Sequence, residues 1–289
     1  MSASPHQTAL VNGRLVARAE ARISIFDRGF TFGDGVYEVI PVYGGTPFRF
    51  AEHLRRLQAS LQAVRITDPY PPRQWRHHVQ QLIEANGGGS MSLYLQVTRG
   101  VAERDHRFPQ DIPPTVVGFT TPLQPVPETV LRHGARIVLL EDFRWDYCHI
   151  KTISLLANVL ARQQALDEEA AEAVFVRDGH VVEGAASNVF VVRAGTLLTP
   201  PKNHFLLPGI TRDLILELAR HHTIPTEESP ISKKQFLSGD EIWLSSSTRE
   251  IIPVTRVGDQ MVGTGRPGPL WNRMYAFYQQ FKQELTTGH

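Results

Sequence analysis

Apolar positions along this chain recur with two periods, near two and near 3.6 residues, and the switches between them divide it into elements. Leu10-Val11 and Leu15-Val16 flank Asn12-Gly13, which predicts a tight hairpin. Val36 to Tyr43 is rich in Val, Ile and Tyr and predicts a strand, which Gly44-Gly45 turns back. Leu54, Leu57, Leu61 and Val64 return at helical spacing, so Ala51 to Val64 reads as an amphipathic helix. Trp75 to Ala85 reads as a second, stopped by Asn86-Gly87-Gly88-Gly89. Leu93, Leu95 and Val97 alternate with Tyr94, Gln96 and Thr98 as in a half-buried strand, and Thr115 to Thr120 supplies another.

Pro122-Leu123-Gln124-Pro125-Val126-Pro127 then interrupts the pattern. Proline fixes φ and removes a backbone donor, so this stretch is a stiff extended connector and the expected domain boundary. Beyond it, Arg136 to Leu140 predicts a strand. Trp145, Tyr147, His149 and Lys151 fall on one face of a further probable strand, with Cys148 and Ile150 on the other. A helical pattern starts at Thr152 and carries Leu155, Leu156, Val159 and Leu160. Asp178-Gly179 is a hairpin turn between Val174-Phe175-Val176 and Val181-Val182, and Val189 to Val192 continues the sheet. Gly209 to His221 and Trp271 to Glu284 read as helices, Glu241 to Ser245 and Ile251 to Val257 as strands. Strands and helices are mixed without strict βαβ alternation, which predicts an α+β protein of two domains. The expected division is 1–121, a linker over 122–128, and 129–289, with no internal repeat.

Composition narrows the function classes. A net charge of +1 gives no reason to expect nucleic acid or an anionic membrane as partner. Cys148 is the only cysteine, so no disulfide forms within the chain, as suits a reducing cytosol. Met1 to Gln7 has neither the basic cluster nor the apolar run of a signal peptide, and no window has the apolar length of a membrane span. The expectation is a soluble cytoplasmic protein.

Several residues could carry chemistry. Lys151, among Trp145, Tyr147 and His149, would be desolvated and its neutral amine made available for Schiff-base chemistry; taken alone, it reads first as a surface lysine at a strand end. Glu183 precedes the small residues Gly184-Ala185-Ala186, which let a bulky ring lie against backbone, though glutamates at hairpin ends are commonly solvated. Ile210 and Thr211 open a helix after Pro208-Gly209, a place for a phosphate or simply an ordinary cap. Ser247 and Thr248 add hydroxyls in a turn, a common feature by itself. Arg56 lies on the first amphipathic helix, where most arginines are solvated. Arg104 and His106 sit in a charged stretch after a strand, and Tyr37 reads first as a strand tyrosine. No Gly-x-Gly-x-x-Gly, Walker loop or Gly-x-Ser-x-Gly elbow is present, and the histidines have no metal-ligand spacing, so no metal is expected.

The set and its order resemble the fold type IV pyridoxal-phosphate enzymes, the class IV aminotransferases, and within them most the D-amino acid aminotransferases. Glu183, Gly184 and Asn188 fit the family pattern Glu-Gly-x-x-x-Asn, and Glu52-His53-Leu54-Arg55-Arg56-Leu57 fits Glu-His-x-x-Arg-Leu. Asp27-Arg28-Gly29-Phe30-Thr31-Phe32-Gly33-Asp34-Gly35-Val36-Tyr37-Glu38 resembles the N-terminal signature, and Arg104-Asp105-His106 the carboxylate trap. Matches run from about Asp27 to Ile252. The resemblance implies a cofactor, pyridoxal 5′-phosphate, at the domain interface. Lys151 would be its Schiff-base lysine and proton-transfer base, and Glu183 the partner of the ring nitrogen. Arg56, Ile210, Thr211, Ser247 and Thr248 would hold the phosphate, and Tyr37, Arg104 and His106 the substrate carboxylate. It also implies a homodimer with active sites shared between subunits. The reaction implied is transamination of D-amino acids to 2-oxo acids, with 2-oxoglutarate or pyruvate as acceptor. Branched-chain L-amino acid aminotransferase and aminodeoxychorismate lyase stand as alternatives. His149 replaces the aspartate common two residues before the lysine, and Tyr147 a smaller or basic residue, which leaves the substrate range open.

Overall fold

Asn12 and Gly13 both take left-handed backbone, φ +49° and +80°, and turn β1 (Thr8–Val11) back against β2 (Arg14–Ala17). That is the hairpin an Asn-Gly pair favours, because its twist matches that of the strands. The computed structural model describes residues 6–287; residues 1–5, most of the stretch that lacks a leader pattern, lie outside them.

The chain up to Gln124, with Ile150–Ser154, forms a first unit. Its elements continue with α1 (Arg28–Phe32), β3 (Gly35–Tyr43), β4 (Thr46–Pro47), α2 (Phe50–Ala63), α3 (Pro72–Ala85), β5 (Met91–Thr98) and β6 (Thr115–Pro122). The strands pair in the order β2-β1-β6-β5-β3-β4, antiparallel throughout. Leu54, Leu57 and Leu61 of α2 and Trp75, Val79 and Leu82 of α3 bury with Leu10, Ile40, Leu93 and Leu95 of the sheet. Each such side chain contributes about 1.5–3 kcal/mol by leaving water. The Ile150–Ser154 segment lies along the start of β3: the Tyr37 N–H donates to the Lys151 carbonyl at 2.9 Å, and the Ile153 N–H to the Gly35 carbonyl at 3.1 Å.

The second unit comprises Pro125–His149 and the chain from Leu155. It contains α4 (Glu128–His133), β7 (Ala135–Glu141), α5 (Leu156–Asp167), β8 (Glu172–Arg177), β9 (His180–Gly184), β10 (Asn188–Arg193) and β11 (Thr196–Thr199). Then come α6 (Ile210–His221), β12 (Thr226–Glu228), β13 (Ile231–Ser232), α7 (Lys233–Leu237), β14 (Glu241–Ser246), β15 (Glu250–Val257), β16 (Gln260–Met261) and α8 (Pro269–Thr287). The sheet runs β12-β11-β10-β14-β15-β7-β8-β9-β13, with β16 on β15. It is mixed, because β7 is parallel to both β15 and β8. One core layer contains Val174, Val189, Phe236, Ile242 and Leu244; another, under α5, contains Val138, Ala161, Ala165 and Phe175. Asp178 and Gly179, φ +50° and +74°, make the predicted hairpin turn between β8 and β9.

Two expectations need correction. The chain from Asp142 to Lys151 is irregular, so the alternation read around Lys151 is not that of a strand. The following helix starts at Leu156, not Thr152. The Thr152 N–H donates to the Ile150 carbonyl, and the Ile153 N–H and the Thr152 hydroxyl both donate to Gly35, so these residues are held on β3 before the helix begins. The apolar positions of α5 also face outward: Leu156 is 73% exposed and Val159 59%, while Ala161 and Ala165 are buried. No helix among the described residues is long and apolar enough to cross a membrane.

Gly134 closes α4 at φ +75°, and an added Cβ would meet the Thr255 side chain at 2.2 Å. Gly179 has the same sign of φ but open space around it. Gly134→Ala should therefore lower unfolding free energy by more than about 2 kcal/mol, and Gly179→Ala by about 1 kcal/mol, the backbone cost alone. Urea titration of the two variants measures the difference.

Candidate active site

In the first unit Lys151 is half-buried, and its backbone N–H donates to Ser60 Oγ at 3.3 Å. The Lys151 Nζ stands 4.2 Å from the centroid of the Tyr37 ring. Tyr37 in turn stacks on Tyr94 of β5 at 5.6 Å, and Tyr94 on Phe119 of β6 at 4.7 Å. Three strands thus supply a continuous aromatic column that fixes the ring beside the amine. Burial and the neighbouring Tyr37 push the Tyr94 hydroxyl up to about 12, so it stays protonated and donates to Gln96 at 2.8 Å.

On the opposite face of β3, Glu38 is fully buried and receives two parallel hydrogen bonds from Arg56, Nε and Nη2, at 2.8 Å each. His53, one helical turn before Arg56, places Nδ1 at 2.7 Å from the same carboxylate. Burial pushes Glu38 up, but the Arg56 charge and hydrogen bonds outweigh it and hold the carboxyl down to about 2. Burial lowers His53 in spite of Glu38, so at neutral pH the imidazole is neutral and Nδ1–H donates. Arg56, predicted as a phosphate ligand, is therefore oriented by Glu38. No local pattern in the sequence points to this bidentate partner, although Glu38 closes the N-terminal signature.

Arg104 and His106 lie together on an exposed, irregular loop after β5. The Arg104 guanidinium is 5.0 Å from the Phe32 ring centroid, and the His106 ring 5.3 Å from it.

In the second unit Glu183, at the end of β9, is buried and held by three donors. Arg144 Nη1 approaches Oε1 at 2.6 Å, the Leu207 N–H approaches Oε2 at 3.0 Å, and Asn188 Nδ2 approaches Oε2 at 3.4 Å. Arg144 also makes a two-pronged pair with buried Asp142, at 2.9 and 3.0 Å, which Arg177 contacts from the other side at 3.2 Å. Burial disfavours the Arg144 charge, yet these carboxylates more than offset it and shift the guanidinium further up. Arg144 was not singled out from sequence. The signal available was the rule that a buried carboxylate needs a cation.

Asn188 also donates to the Leu207 carbonyl at 2.9 Å, and a Cβ on Gly209 would strike its Oδ1 at 1.9 Å. The glycine therefore lets the chain entering α6 pass against Asn188. Ile210 and Thr211 are the first residues of α6, with no side chain capping the helix, so the N-terminal N–H groups and dipole are available to an anion. Ser247 and Thr248 form the β14–β15 turn, and Arg249 of that turn donates to buried Glu172 at 3.1 Å. Ser187 Oγ and Ser245 Oγ are buried without a hydrogen-bond partner among the described residues. A helix N-terminus, turn hydroxyls, unpartnered buried hydroxyls and a buried carboxylate beside small residues fit a ligand with an anionic group and a polar ring.

Residues 35–257 match the sequence model of the family described as amino-transferase class IV. The chain belongs to the class IV aminotransferases. Within that class it is 40% identical over 261 residues to a D-alanine aminotransferase of Bacillus licheniformis, covering 90% of this chain and 92% of the relative. It is 38% identical over 280 residues to one from Listeria monocytogenes, covering 96% of each. Among solved structures, the branched-chain amino acid aminotransferase of Escherichia coli superimposes with a TM-score of 0.87 at 26% identity, covering 98% of this chain and 95% of that one. 4-Amino-4-deoxychorismate lyase of Pseudomonas aeruginosa gives 0.82 at 27% identity, covering 96% and 99%.

Desolvation outweighs Arg144 at Glu183 and pushes its carboxyl up to about 7. A carboxyl raised on folding holds a proton in the native state that the unfolded chain has lost. Its contribution is complete below the unfolded value and disappears as pH rises toward about 7. Cofactor-free protein should lose roughly 3 kcal/mol of stability from this group between its ordinary range and neutrality. Glu183→Gln should flatten that slope, as read by urea titrations of both proteins from pH 4.5 to 7.5.

Proposed function

We propose that this protein transfers the amino group of D-amino acids to a 2-oxo acid, 2-oxoglutarate or pyruvate, with pyridoxal 5′-phosphate as cofactor. The observation that carries the reading is the similarity to D-alanine aminotransferases along nearly the whole chain, at 34–40% identity. The branched-chain enzyme and the lyase share the fold at 26–27%.

Arg56, the first N–H groups of α6 at Ile210 and Thr211, and the hydroxyls of Ser247 and Thr248 would be the groups that hold the phosphate. Glu38 keeps the Arg56 fork oriented for it. When bound, the cofactor supplies a protonated pyridine ring that accepts the charge left at the substrate Cα. Glu183 would be the partner of the ring nitrogen, and Arg144, which donates to it, favours its ionised form. Lys151 would anchor the cofactor and serve as the base that moves the proton at Cα, and the Tyr37 ring stands beside its amine. Arg104 and His106 bind the substrate carboxylate with Tyr37. Two copies of the chain assemble into a dimer, and the outward Leu156, Val159 and Leu160 of α5 and the exposed Ile25 and Phe30 are surfaces that a second copy would cover. Buried Cys148, its thiol pushed up to about 11 mainly by burial, is an inert cysteine and suits a cytoplasmic location.

Borohydride reduction followed by peptide mapping should place the pyridoxyl label on Lys151; a label on Lys202, Lys233, Lys234 or Lys282 would remove the assignment. D-Alanine should be transaminated, and Arg104→Ala should raise its KM by about tenfold or more, the cost of charge-assisted hydrogen bonds. Turnover of L-leucine with D-alanine inert would replace this reading by the branched-chain one. Pyruvate release from aminodeoxychorismate without an acceptor would replace it by the lyase.

A further inference from the structure

We propose that Asp34, acting through Arg28 and Arg99, and Phe32 are positioning residues that present Arg104 and His106 as a pair to the substrate carboxylate. The inference rests on the reading of Arg104 and His106 given above. The loop that carries them has no regular structure, and Arg104, His106, Arg107 and Phe108 are all exposed. Such a segment buries little of its own, so its shape must come from the points at which it is tied down.

Four ties are present. The Gly100 carbonyl accepts from the Arg28 N–H at 2.9 Å, and the Ala102 N–H donates to the Phe26 carbonyl at 3.3 Å. The Arg28 guanidinium donates to the carbonyl of Asp105, the residue between Arg104 and His106. The Phe108 ring lies over the Arg99 guanidinium at 3.7 Å, with Arg65 at 5.2 Å. Two of the four ties are therefore made by buried arginine side chains, and one carboxylate orients both. Asp34 accepts from Arg28 Nε at 2.8 Å and from Arg99 Nε and Nη2 at 2.8 and 3.0 Å. Arg99 uses two further N–H groups on the Val64 and Arg65 carbonyls, at 2.8 and 2.9 Å, so its plane is held from both sides.

Phe32 adds the second part. It receives Arg28 at 4.6 Å, Arg104 at 5.0 Å and the His106 ring at 5.3 Å. Residues 104 and 106 thus share one aromatic platform while the peptide between them is pinned by Arg28. Burial pushes Asp34 up, but the hydrogen bonds from Arg99 and Arg28 prevail and hold it below its ordinary value, so it is a carboxylate wherever the enzyme works.

Asp34→Asn keeps the shape but turns an N–H₂ toward one guanidinium, which releases one tie. In the purified holoenzyme, amide hydrogen exchange over residues 101–109 should speed up by about tenfold or more. KM for D-alanine should rise about tenfold with kcat nearly unchanged, as expected when binding common to ground and transition states is lost. The visible cofactor band should stay. Phe32→Leu leaves the Asp34 pairs intact and should raise KM in the same direction, which tests the platform should Asp34→Asn fold poorly. Wild-type exchange and wild-type KM in these variants would overturn the proposal. So would faster exchange with KM unmoved while Arg104→Ala raises it. If Arg104→Ala itself leaves KM unchanged, the carboxylate assignment falls instead, and loop exchange in Asp34→Asn separates that failure from a failure of the clamp.

Discussion

A carboxylate taken out of water must find donors, and in the second unit the placement of Glu183 organises what surrounds it. Its two oxygens are shared among Arg144, the Leu207 amide and Asn188. Arg144 is itself buried and is matched by Asp142, which is matched in turn by Arg177. Arg177 continues to Asp146, whose side chain is exposed, so an alternating row of charges leads from the buried carboxylate to solvent. The row ties the end of β7, β8, β9 and the 205–207 segment together. Removing Arg144 would take the cation from Glu183 and leave Asp142 with Arg177 alone, and breaking a buried pair in this way typically costs about 3–5 kcal/mol.

The first unit repeats the device twice. Glu38 collects Arg56 and His53, and Asp34 collects Arg28 and Arg99. Each uses the planar guanidinium fork, which fixes direction as well as charge. Buried ion pairs contribute little net stability, because desolvation cancels much of the attraction. Their consequence is geometric: Arg56 can turn only certain N–H groups outward, and the loop bearing Arg104 has one anchored course. The aromatic column Tyr37–Tyr94–Phe119 does for the Tyr37 ring beside the Lys151 amine what these pairs do for the arginines.

Long periodic segments were legible in the sequence because their burial follows a regular period. α2, α3, β3, β5 and the hairpins at Asn12-Gly13 and Asp178-Gly179 lie where apolar spacing and turn chemistry put them. Short elements such as β4, β13, β16 and α7 were not legible, since two to five residues carry no measurable period. The apparent alternation through Trp145, Tyr147 and His149 misled for a related reason. Those positions repeat every second residue, but the chain there is bent by Arg144, Asp142 and Arg177 instead of a ladder.

The sequence by itself determined the family, through Glu183-Gly184 with Asn188, the Arg56 helix and the order of motifs around Lys151, because local chemistry of that kind is carried by neighbouring residues. Only the tertiary structure decided which groups hold those residues in place. Arg144 meets Glu183 from 39 positions away, Arg99 meets Asp34 from 65, and Arg28 reaches Asp105 from 77. No local pattern encodes such pairs. They follow from which strands lie side by side, and from the requirement that every charge enclosed between them be matched.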